Sequence, residues 1–123
     1  MPTAFHNPSA VAAPLGRYTH AVEAPSGARV VFLSGQVPVA KDGSVPATLA
    51  AQADQDYANI VLILASLGAA PSSIIRLTTF MTEDDDGDDC VRTARAKHLG
   101  EHRPASTAVF VSRLVEPAWK IEI

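Results

Sequence analysis

Glu122 stands between Ile121 and Ile123 at the end of the chain. A carboxylate flanked by two isoleucines is either on the solvated face of an edge strand or held at a site, and a held carboxylate can take a proton from water and hand it on. Ser106 and Thr107 place two hydroxyls at the start of an apolar run, and Ser34-Gly35-Gln36 closes another. Glycine at such a strand end permits close approach of a ligand or of another backbone, and equally permits a bulge. Cys90 has no histidine placed beside it by sequence, so it reads as a packed or half-exposed thiol rather than a nucleophile. His98-Leu99-Gly100-Glu101-His102 fits the H-x-x-E-H spacing of zinc hydrolases. That chemistry needs both histidines on one helix face, and Gly100 and Pro104 end the helix inside the motif. No third ligand is evident and no metal site is expected; His102 is read as fixing the turn before the next strand. The acidic stretch from Thr82 to Asp89 fails the calcium-loop register, because placing Gly87 at the required glycine puts Thr82 first and Thr93 last, where acids are needed. It reads as a solvated loop whose last aspartates cap a helix.

The elements that must position these groups follow from the hydrophobic pattern. Met1 to Leu15 has no period and carries Pro2, Pro8 and Pro14, which predicts an extended arm. Tyr18–Glu23 and Arg29–Gln36 are expected as strands around the turn Pro25-Ser26-Gly27, pairing as a hairpin. Thr48 is a candidate N-cap for a helix whose stripe runs Leu49, Ala53, Tyr57, Ile60, Leu64 and Leu67, with Asp54 and Asp56 toward its start and Gly68 at its end. Ile74–Met81 is a strand, a second helix runs through Cys90, Ala94 and Lys97 to Gly100, and two strands close the chain. The order is ββαβαββ, an α+β domain over residues 1–123 with two helices on one face of a mixed sheet. Val30–Leu33 and Val109–Val111 are apolar on both strand faces, which predicts strands covered on both sides. Two helices cover one face only, so the other face is expected to be buried by another copy of the chain.

Composition sets the outer bounds. The chain has 123 residues, 47% hydrophobic and 19% charged, enough for one ordinary core. A net charge of −3 and an aromatic content of 6% oppose a nucleic-acid partner, which usually demands a basic face. A single cysteine fits a reducing compartment, no apolar run reaches membrane-spanning length, and the N-terminus shows no charged-then-apolar signal pattern, so a cytoplasmic protein is expected.

Several short motifs, in order and spacing together, resemble the RidA family, also called YjgF-like or L-PSP endoribonuclease-like. Gly16-Arg17-Tyr18 is similar to the family's Gly-Pro-Tyr, and Ser34-Gly35-Gln36-Val37-Pro38 to its Ser-Gly-Gln-Ile-Pro strand end. Gly100-Glu101-His102-Arg103-Pro104 resembles its Glu-His-x-Pro turn, Pro104-Ala105 the start of its Pro-Ala-Arg-Ser motif, and Ile121-Glu122 its closing strand. The resemblance implies a chorismate-mutase-like fold and a homotrimer with ligand clefts between subunits. It makes Glu122 the residue that handles water, and Tyr18, Ser34, Gly35, Ser106 and Thr107 the cleft. Ser106 stands where the family pattern has the arginine that grips a substrate carboxylate through a two-pronged ion pair, which one hydroxyl cannot copy. Arg17, in place of the usual proline, is a candidate for restoring positive charge, as is Arg103.

The leading functional reading is a cofactor-independent hydrolase of deaminase type, acting on an imine, enamine or related small carbonyl compound. Without the family arginine, ordinary 2-aminoacrylate-type acids are not the expected substrate. The rival is a trimer of the same fold that binds a small ligand or a protein without chemistry; fold alone does not decide between them. Ribonuclease activity comes only with the family's name and is opposed by the acidic balance.

Overall fold

The computed structural model describes residues 3–83 and 89–123. Most of the acidic loop therefore lies outside the described residues, and with it the capping expected of its aspartates, apart from Asp89 in the first turn of the second helix. Two helices pack on a three-stranded mixed sheet, and a separate two-stranded ribbon joins the N-terminal arm to the segment after Tyr18.

The first helix, α1 (Leu49–Ser66), begins where the Thr48 hydroxyl accepts the backbone N–H of Ala51. It ends in a Schellman motif: the N–H of Gly68 bonds the carbonyl of Ala65, and that of Ala69 the carbonyl of Leu64. Gly68 has φ of 72°, where a side chain would be strained. The stripe Leu49, Ala53, Tyr57, Ile60 and Leu64 is buried as the spacing predicts, whereas Leu67, also expected in it, is the C-cap and is exposed. Strand β3 (Arg76–Met81) turns Leu77, Thr79 and Met81 toward this stripe. Helix α2 (Asp89–Leu99) completes the core with Val91, Ala94 and Leu99. An ion pair from Asp54 to Lys97, with His98 on the same oxygen, ties the two helices together.

The strand order is β4 (Ala105–Phe110), β3, β5 (Ile121–Glu122), with β3–β4 parallel and β3–β5 antiparallel. Two expectations are corrected by this arrangement. The N-terminal arm contains strand β1 (Ala4–His6), and its partner is β2 (Ala21–Glu23). Arg29–Gln36 does not form the other arm of a hairpin; its one paired residue is Gln36, which exchanges both backbone hydrogen bonds with Ile123. The apolar runs are left uncovered by this chain alone, as two helices on one face predict: Phe32 is 92% exposed, Val30 59%, and β4 is an edge strand with Phe110 54% exposed. Asp56, toward the start of α1, is fully buried.

Candidate functional site

The strand register decides which side chains share a face. Side chains alternate along a strand, and directly paired residues point the same way. Leu77 pairs with Ser106 and Thr79 with Ala108, so Ser106 and Ala108 face the helices. Phe80 pairs with Val109 and with Glu122, so Glu122 lies on the opposite face, as does Thr107 beside Thr78. The hydroxyl of Thr107 accepts a hydrogen bond from Arg76 at 3.2 Å on that far side. The residues expected to form one cleft therefore fall into two groups.

The first group surrounds a cavity of about 230 Å³ under the free edge of β4. Arg17 and Tyr18 form one wall, Tyr57 of α1 and Arg95 of α2 another, and Ser106 with Ala108 the floor. Local folding explains why Tyr18 sits here. The Thr19 hydroxyl donates to the carbonyl of Arg103 and the Thr19 N–H to that of Pro104, which fastens the Gly16–Thr19 segment to the start of β4. The Tyr18 hydroxyl accepts the N–H of Leu15 at 3.2 Å, and its ring meets His20 edge-on. Arg17 reaches the carbonyl of Gly100 only at 3.5 Å. Arg103 is exposed and does not line the cavity.

Arg95 was not singled out by the motif reading. Its guanidinium donates from Nη1 to the Ser106 hydroxyl at 3.1 Å, while Nε and Nη2 are buried without a partner. Burial holds Arg95 below the usual arginine range; Arg17 and Arg103 push the same way, and Tyr57 opposes them. The buried Tyr57 hydroxyl is also unpartnered, and desolvation pushes it up to about 12 against the attraction of Arg95. A sequence signal existed: Arg95 falls four residues after buried Val91 and beside buried Ala94, an arginine on the buried stripe of a short helix.

The second group lies on the other face of the sheet. Gln36 and Ile123 exchange backbone hydrogen bonds of 2.7 and 3.0 Å, which lays Gly35 against the side chain of Glu122. A Cβ on residue 35 would stand 2.5 Å from Oε1 of Glu122, so the carboxylate occupies the space the glycine leaves. Asn59 of α1 holds this segment from behind, donating to the carbonyls of Val37 and Val39. Gln52, almost fully buried, donates to the carbonyls of Pro46 and Ala118 and accepts the N–H of Lys120, fixing the approach to β5. Ser34 is exposed, and its carbonyl accepts from the Gln36 side chain. Beneath this group the Asp56 carboxyl has no hydrogen-bond partner; desolvation, with repulsion from Glu122 second, raises it to about 8.

The histidines of the H-x-x-E-H stretch serve different partners. His98 bonds Asp54 at 2.8 Å, and His102 bonds the carbonyl of Ile74 at 2.6 Å, holding the turn before β4. Cys90 is partly buried against the core. Among the described residues no helix is long and apolar enough to cross a membrane.

Known proteins place this architecture. The family model described as endoribonuclease L-PSP matches residues 9–123. The 2-iminobutanoate/2-iminopropanoate deaminase of Escherichia coli is 35% identical over 115 residues, spanning 90% of this chain and 86% of that protein. The crystal structure of YyfB from Yersinia pestis, of the Rid protein family, superposes with a TM-score of 0.87 at 28% identity, covering 99% of this chain and 95% of that one. The structure of Escherichia coli TdcF with bound serine does so with a TM-score of 0.70 at 29% identity, covering 89% and 85%. A family match over nearly the whole chain, joined to the two helices on a mixed sheet, makes this protein a member of the endoribonuclease L-PSP family, the RidA/YjgF group that includes imino-acid deaminases.

Proposed function

We propose that the protein is a cofactor-independent deaminase of Rid type, hydrolysing an imine or enamine of a small carbonyl compound at a site that two copies of the chain complete together. The observation that carries this reading is the division of the candidate residues between the faces of one sheet. A cavity with Tyr18 and Ser106 opens on one face, and the Glu122 carboxylate lies on the other. Within one chain the sheet stands between the cavity and the Glu122 carboxylate. A homotrimer that buries the exposed runs at Val30–Phe32 and Val109–Phe110 would bring the Glu122 face of one copy to the cavity edge of the next. The chain's similarity to a deaminase of 2-iminobutanoate and 2-iminopropanoate supports the reaction class.

The chemistry follows from the groups. Glu122 takes a proton from water as the oxygen attacks the C=N carbon and returns it to nitrogen, giving a neutral carbinolamine. The carboxylate then takes the carbinolamine hydroxyl proton and delivers it to the amine as the C–N bond breaks, leaving a carbonyl compound and ammonia. Tyr18, Ser34, Gly35, Ser106 and Thr107 are the proposed walls of the assembled cleft.

The test is ammonia release from imines generated in situ by an amino-acid oxidase, measured against spontaneous hydrolysis. Acceleration by wild type that is lost in Glu122→Gln supports the reading. A folded protein that binds small ligands in the cleft but gives no acceleration on imines or enamines would favour the binding-only trimer.

A further inference from the structure

We infer that Arg95, delivered from helix α2 and held in place by Ser106, is the group that binds the anionic end of the ligand in the cavity under β4. This rests on the cavity being the ligand site proposed above, and it names the ligand's class: a small carboxylic acid derivative.

Among the described residues, the cavity lining includes Arg17, Arg92 and Arg95 and no aspartate or glutamate. Buried charges are normally paired, and buried polar atoms are normally hydrogen-bonded. Arg95 departs from both rules, because two of its three nitrogens are buried without a partner and its single bond goes to a neutral hydroxyl. The Tyr57 hydroxyl, also buried and unpartnered, lines the same space. A guanidinium and a phenol, both short of acceptors, define a site for an acceptor-only group. A carboxylate is such a group, and it matches the fork geometry of arginine. The Ser106–Arg95 bond at 3.1 Å orients the fork from the floor of the cavity.

This assignment changes the meaning of Ser106. Read from sequence, a serine at the place of an arginine removes the anion clamp and excludes 2-imino and 2-aminoacrylate-type acids. In the folded chain the serine hydroxyl receives a guanidinium from a different element, so the positive charge is relocated and those acids remain substrates. Arginine at position 106 would then crowd and repel Arg95 rather than restore anything.

The experiment compares binding of 2-oxobutanoate and of its uncharged counterpart 2-butanone to the purified oligomer by ligand-observed NMR or calorimetry. Wild type, Arg95→Gln, Arg95→Lys, Ser106→Arg and the distant surface variant Lys41→Gln are measured alike. Arg95→Gln is expected to weaken the acid by about 10- to 100-fold, the loss of one charge-assisted contact, and to leave the ketone unchanged. Arg95→Lys should recover part of the affinity, Ser106→Arg should not strengthen the acid, and Lys41→Gln should bind as wild type. Equal affinity of wild type and Arg95→Gln for the acid, or a Ser106→Arg variant that binds it more tightly than wild type, would overturn the assignment. So would a loss in Arg95→Gln equal for acid and ketone, the mark of a structural role. The deaminase reading is judged separately: 2-oxobutanoate binding that depends on Arg95, in a protein without ammonia-releasing activity, would refute the reaction and leave the anion site standing.

Discussion

The two faces of the central sheet carry opposite chemistry. The helix side offers a cavity lined by arginines and two hydroxyl-bearing aromatics, with no acid among the described residues of its lining. The far side offers the Glu122 carboxylate, seated on Gly35. Had Glu122 and Arg95 shared a pocket in one chain, they would have paired, and the ion pair would have depressed the carboxylate's basicity and used up the guanidinium. Held apart by β3, each stays available. In the proposed assembly they meet only across a ligand, with the cation on its anionic end and the base beside its C=N carbon. The apolar runs at Val30–Phe32 and Val109–Phe110 are exposed in the single chain, and the proposed assembly would cover them.

The largest effect expected from breaking this arrangement is chemical. Glu122→Gln keeps the shape but cannot take a proton, and it should cost about 10²–10⁴-fold in kcat. Binding of 2-oxobutanoate at the cavity should change little, which calorimetry on the same variant checks. Gly35→Ala comes next. The added methyl would take the space of Oε1 of Glu122, so the carboxylate must move aside. A misplacement on the order of 1 Å is expected to lower kcat by up to about 10²-fold, again with the cavity's anion affinity retained. Steady-state kinetics and ligand titration on one preparation would separate the two.

A third prediction concerns stability beneath the carboxylate side. Asp56 is buried without partners and its pKa is raised to about 8. Between an unfolded value near 4 and that folded value, the unfolded chain is ionised while the native chain must stay protonated. Wild-type stability should therefore fall as pH rises from about 4 to 8, by an amount on the order of a few kcal/mol, and level off above. Asp56→Asn removes the titration and should flatten the slope; denaturant melts across that window give the answer. The smallest effect is expected at the helix start shared by both sides. Thr48→Ala deletes the N-cap and should cost about 1 kcal/mol, with no change in kcat. A large activity loss in that variant would mean that α1 governs the site by more than position.

The helices were legible because their signals are local. The Thr48 cap, the stripe from Leu49 to Leu64 and the Gly68 stop each depend on residues within a few turns of one another. The sheet was less so. Val109–Phe110 and Val30–Phe32 read as covered strands because an apolar run looks the same whether its cover comes from its own chain or from another, and here the chain leaves them exposed. The β1–β2 ribbon was missed because Ala4–His6 is three residues long and lies among prolines. At the site, the motif residues Tyr18, Gly35 and Glu122 stood out from the sequence, but their division between two faces depends on register. Arg95, Asp56 and Tyr57 were passed over for one reason. Each sits on a helical stripe where position predicts burial, and stripe positions are read for their hydrophobicity. A charge in such a stripe is the anomaly to look for, since its burial costs free energy that packing alone does not return.

If one working site draws on two chains, two variants that each spoil a different half should complement one another. Tyr18→Ala impairs the cavity, and Glu122→Gln impairs the base. Each variant alone should be nearly inactive. Co-folded in equal amounts, they should regain activity toward roughly a quarter of the wild-type level, because random assembly puts an intact cavity against an intact carboxylate at about one site in four. Recovery near that level is the predicted result. Mixed oligomers, verified by mass, that are no more active than the parent variants would contradict it.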